Sequence, residues 1–112
     1  EEFLEIFDGF SIGSNDLTQL VIGMDRDSAI ISDIANENDP AVKKMIEDVI
    51  KACKKRRKYI GICGQAPSDF PEFDDFLVKN RIDSISLNPD TVIKTIPRIY
   101  KMERKIGKII KR

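Results

Sequence analysis

Two rhythms of apolar positions alternate along the chain: short strand-like runs, and longer stripes at helical spacing. Residues 1–6 read as the end of a helix, and Asp8-Gly9 turns the chain into a strand near Phe10 to Ile12. From Asp16 to Met24, Leu17, Leu20, Val21 and Met24 recur at helical spacing. Residues 25 to 39 are polar and mixed, with a short helix expected around Ser28 to Ile34. The clearest helix starts at Asp39-Pro40, an N-cap followed by proline in the first turn. Its apolar stripe runs Val42, Met45, Ile46, Val49, Ile50 and Cys53. A second strand follows over Tyr59 to Cys63, then a short acidic helix after Pro71 carrying Phe73, Phe76 and Leu77. A third strand is expected over Ile82 to Leu87. Asn88-Pro89-Asp90 caps a last helix bearing Val92, Ile93, Ile96, Ile99 and Tyr100, which Pro97 should kink or break. The tail beyond Lys101 keeps a helical pattern interrupted by Gly107.

Strands alternating with helices predict an α/β fold with parallel strands and flanking helices, built as three successive strand-helix units. Its 112 residues make one small domain or a piece of a larger one. The opening Glu1 to Phe7 has no initiator Met and reads as a helix already under way, so the chain is expected to be a fragment.

Charge narrows the partners. Nineteen basic residues balance nineteen acidic ones, which argues against nucleic acid or an anionic membrane as partner. The run Lys54-Lys55-Arg56-Arg57-Lys58 could be a nucleic-acid patch, but cations at a helix C-terminus are favoured by the macrodipole. No apolar stretch approaches the roughly 20 residues that span a bilayer. Two cysteines ten residues apart suit neither a CxxC redox pair nor a zinc knuckle, and a reduced cytoplasmic setting is expected. Histidine is absent, which excludes His-based dyads within these residues.

Candidate chemistry gathers where two strands end. Phe10-Ser11-Ile12-Gly13-Ser14-Asn15-Asp16-Leu17-Thr18-Gln19 presents an amide and a carboxylate; Tyr59-Ile60-Gly61-Ile62-Cys63-Gly64-Gln65-Ala66-Pro67-Ser68-Asp69 presents a thiol. Outlets of parallel strands are where α/β folds bind ligands. Asp16 suits a hard cation or a helix N-cap equally well. Asn15 suits a turn, and Cys63 between glycines is a better proton carrier than Cys53 on its apolar stripe. Arg26, between Asp25 and Asp27, suits phosphate or a surface ion pair. Gln65 and Asn88 also sit at strand outlets, with no role assigned.

These segments, with MDRDS and IDSISLNPDTV, resemble the phosphoenolpyruvate-binding barrel of the phosphoenolpyruvate synthases over nearly the whole chain. The FSxGxNDLTQ part is shared with pyruvate, phosphate dikinase and with the phosphoprotein phosphotransferases; GQAPSD points to the synthase branch. The resemblance implies the last three strand-helix units of an eight-stranded TIM barrel, residues 1–112 being a C-terminal piece that lacks the earlier strands. Three units cannot close such a barrel, so either a larger parent protein supplies the rest or the piece associates, and a homo-oligomer is expected.

It also implies an activity: ATP, pyruvate and water become AMP, phosphoenolpyruvate and phosphate, a step of gluconeogenesis. The phosphoryl group travels on a phosphohistidine of another domain, and a nucleotide-binding domain is implied elsewhere. By resemblance Asp16 binds Mg²⁺, Asn15 contacts substrate, and Gly13 and Ser14 allow close backbone approach. Arg26 would hold phosphate and Cys63 would transfer the proton at substrate C3. Alone, these residues are expected to be inactive. The alternatives are part of a phosphotransferase or dikinase, or a non-catalytic module for dimerisation.

Overall fold

The structure, a computed structural model, describes residues 1–25 and 36–107. Arg26, the helix expected around Ser28 to Ile34, and Ile109 and Ile110 lie outside the described residues. After a 3-10 turn at Glu2–Glu5 the order is β1 (Gly9–Gly13), α1 (Ser14–Ile22), α2 (Pro40–Lys55) and β2 (Tyr59–Cys63). Then come α3 (Ala66–Asp69), α4 (Pro71–Lys79), β3 (Ser84–Ile85) and α5 (Pro89–Lys105). The three strands form one parallel sheet in the order β1-β2-β3. This is the expected α/β architecture, a sheet of parallel strands with flanking helices.

Strand register separates the two faces of the sheet. Phe10 pairs with Ile60 and Ile12 with Ile62, while Ser11 pairs with Gly61 and Gly13 with Cys63. The apolar face enters the core with Val42, Ile46 and Ile50 of α2 and with Phe73 and Leu77 of α4. The other face carries small and polar residues, and there Tyr59 and Ser84 share a hydroxyl-hydroxyl hydrogen bond. Because side chains alternate along a strand, this pattern sends Cys63 to the side opposite the core.

Helix α2 forms as expected, with Asp39 Oδ1 accepting from the Ala41 N–H at 2.8 Å. Within its stripe Val42, Ile46, Ile50 and Cys53 are buried, but Met45 is half exposed at the side of α2. The basic run is largely neutralised locally: Lys54 pairs with Asp83, Lys55 with Glu1, and Arg56 with Glu1 and Glu5. This supports the helix-terminus reading over the nucleic-acid one.

Three expectations are corrected. Strand β3 is only two residues long, although backbone bonds from Asp83 N to Ile60 O and from Ser86 N to Ile62 O flank it. Helix α5 is not broken at Pro97 but runs on through it, 17 residues in all. Ile93, whose carbonyl Pro97 leaves without a helical donor, is exposed, so water can satisfy that oxygen. The face of α5 that turns inward carries Thr91 and Thr95, while Ile93, Ile96 and Tyr100 are exposed. The helix α3, between β2 and α4, was not anticipated.

Candidate active site

Strand β1 ends at Gly13 and passes directly into α1, whose N-cap is Gly13 with no side-chain cap bond. Asp16 therefore lies in the first turn of α1, exposed, where a carboxylate faces the positive end of the helix dipole. The alternative of Asp16 as an N-cap does not hold. Ser14 is fully buried, and its hydroxyl donates to Glu37 Oε1 at 2.9 Å; Glu37 is itself buried. Its side chain is thus turned inward, leaving only its backbone for a ligand. Thr18, also buried, donates to the Ser14 carbonyl at 2.7 Å and tightens the same turn.

Strand β2 ends at Cys63, register partner of Gly13, so both turns leave the sheet at the same end and on neighbouring strands. Cys63 is exposed and free, whereas Cys53 is buried and free. Burial, with a smaller contribution from Asp83, pushes the Cys53 thiol up and away from thiolate chemistry. The two cysteines thus divide as the sequence suggested.

Gly64 adopts φ +128°, a conformation that side chains rarely take. A β-carbon there would overlap Ser14 Oγ and stand 2.6 Å from Asn15 Oδ1. The two turns are packed against each other through that missing side chain. They are also hydrogen-bonded: the Gln65 N–H donates to Asn15 Oδ1 at 3.0 Å. Since an N–H can only donate, the Asn15 oxygen is fixed toward Gln65, and its amide hydrogens have no protein acceptor among the described residues.

The third outlet joins the other two. Gln65 Oε1 accepts from Asn88 Nδ2 at 3.2 Å, and the Asn88 N–H donates to Ser68 Oγ at 3.0 Å. Nothing local in the sequence marks the pairing of Gln65 with Asn88, since 23 positions separate them.

Among the described residues no three of His, Cys, Asp or Glu gather as a metal-holding group. Asp16 presents one exposed carboxylate of the hard-oxygen kind that Mg²⁺ takes, and a lone carboxylate leaves the rest of such a shell to water, substrate oxygens or ligands from outside these residues.

Parallel strands whose glycine-bearing turns leave one end of the sheet, with Asn15 and Asp16 on the first and Cys63 closing the strand before the second, define an α/β module of parallel strand-helix units. Residues 1–104 match the family model of the PEP-utilising enzymes, PEP-binding domain, and the chain belongs to that family. It is 56% identical over 107 residues to phosphoenolpyruvate synthase of Aquifex aeolicus, covering 96% of this chain and 12% of that protein. It is 57% identical over 106 residues to the Helicobacter pylori synthase, 95% of this chain and 13% of that one. With the Escherichia coli synthase it shares 57% identity over 95 residues, 85% of this chain and 12% of the relative. The chain thus spans about an eighth of the length of these relatives.

Proposed function

We propose that this chain is the substrate-binding and proton-transfer portion of a phosphoenolpyruvate synthase, acting within a longer polypeptide. The observation that carries the reading is the register pairing of Gly13 with Cys63, which supports a shared site for the Asn15-Asp16 turn and the thiol. The synthase names of its relatives favour this branch over a phosphotransferase or dikinase.

In this reading pyruvate lies across the outlets of β1 and β2. The Asn15 amide donates to a substrate oxygen, and backbone N–H groups at the start of α1 favour its negative charge. Arg26 binds the incoming phosphoryl group. Asp16 would anchor Mg²⁺, which supplies charge neutralisation for the enolate and phosphoryl oxygens. Cys63, as thiolate, takes a proton from the pyruvate methyl group, leaving the enolate. The enolate oxygen then forms its bond to phosphorus as the phosphorus–nitrogen bond of a phosphohistidine, carried by another domain, breaks. In reverse the thiol returns the proton to C3.

The test is Cys63→Ala in the complete polypeptide. Interconversion of pyruvate and phosphoenolpyruvate should disappear, while ATP still phosphorylates the histidine. Turnover at the parental rate would overturn the assignment.

A further inference from the structure

We propose that Gln65 is a positioning residue for Cys63, holding the turn that follows the thiol against the Asn15-Asp16 turn through a string of amides that spans all three strand outlets. The proposal rests on the reading of Cys63 as proton carrier. Gln65 is tied in two directions: its backbone N–H to Asn15 Oδ1 at 3.0 Å, and its side-chain Oε1 to Asn88 Nδ2 at 3.2 Å. The first tie joins the outlet of β2 to that of β1, and the second joins it to that of β3.

Such a device answers a specific weakness. The residue between Cys63 and Gln65 is Gly64, which must be glycine for steric reasons and so contributes no stiffness of its own. The turn beyond that hinge has no ladder of its own to fix it beside the thiol, and misplacing a reacting group by about 1 Å can cost two orders of magnitude in rate. Both flanks of the hinge are held instead, Cys63 by the β1 ladder and Gln65 by the two amides.

Asn88 supplies the second observation. It is the N-cap of α5, a position where asparagine normally bonds the first turn and contributes about 1 kcal/mol, yet its side chain makes no cap bond. Its Nδ2 donates instead to Gln65 Oε1, a bond in which the capping oxygen takes no part. The start of α5 is held by other means, with Thr91 Oγ1 donating to the Asn88 carbonyl at 2.8 Å and the Asn88 N–H bound to Ser68. The one side-chain bond of Asn88 among the described residues thus runs between loops rather than to the helix it begins.

The experiment uses the complete polypeptide with Gln65→Ala, Asn88→Ala and the double variant. Each single change removes the same link, so kcat should fall about tenfold in each and about tenfold, not a hundredfold, in the double. KM for pyruvate, ATP-driven phosphorylation of the histidine and the melting temperature should stay at parental values, a split that loss of folding would not produce. Parental kcat in both single variants, or losses that multiply in the double, would overturn the positioning role. Cys63→Ala, run alongside, separates the two claims. If it is inactive while the amide variants behave as the parent, only the positioning role falls; if it turns over normally, the proton-transfer reading falls first.

Discussion

The hydroxyl of Ser14 occupies the space that a side chain on Gly64 would need, although the two residues belong to different strand-helix units. One missing β-carbon therefore sets how closely the outlets of β1 and β2 approach. Ser14 cannot easily yield, because its Oγ is buried and committed to Glu37.

Gly64→Ala should accordingly do more than strain the backbone. The change combines an unfavourable φ with a clash against a fixed group, and should cost about 2–4 kcal/mol in denaturant unfolding. Gly23 is the control: its φ is also positive, at +68°, but a β-carbon there meets nothing within 4 Å. Gly23→Ala should cost only about 1 kcal/mol. Equal losses in the two variants would show that conformational strain alone matters at Gly64.

Asp16→Asn separates metal binding from folding. The Asp16 side chain caps no helix and its removal leaves the described hydrogen bonds intact. The melting temperature should change by no more than about 2 °C, while the Mg²⁺ concentration for half-maximal turnover in the complete polypeptide rises at least about tenfold. An unchanged Mg²⁺ requirement would remove Asp16 as the ligand.

Asp74 gives the fold a pH dependence of its own. It is 2% exposed, and its Oδ1 has no hydrogen-bond partner among the described residues. Burial raises its pKa to about 6, against a smaller opposing effect of Arg98 at 3.9 Å. The folded state thus binds this proton more tightly than the unfolded chain, whose carboxyl titrates near 3.8. Stability from Asp74 is fully present below that lower value and is lost as pH rises through about 6. Asp74→Asn, which resembles the protonated form, should gain about 1–2 kcal/mol near pH 8, and the gain should vanish near pH 4. Urea unfolding at both pH values measures it; a gain independent of pH would exclude the titration of Asp74 as its source.

Much of this molecule is local in origin and was legible before any coordinates. The Asp39-Pro40 start of α2, the buried stripe from Val42 to Cys53, and the strand Tyr59–Cys63 follow from capping, helical period and β-propensity, each contained within a few turns of chain. The contrast between Cys53 and Cys63 follows from the same patterns, since a stripe position is buried and a position between glycines at a strand end is not.

What escaped the sequence depends on which surface arrives from elsewhere. Helix α5 has an apolar stripe, but α4 packs against it so that Thr91 and Thr95 are buried while Ile93 and Ile96 stay in water. A helical period defines faces; only the neighbouring element decides which of them is covered. The site divides in the same way. Asp16 and Cys63 could be singled out by residue type and by the turns they occupy. The bond from Gln65 to Asn15 could not, because it links residues 50 positions apart that meet only when β1 and β2 align in parallel register. Chemical character is carried by each side chain, whereas proximity across strands exists only once the sheet has formed.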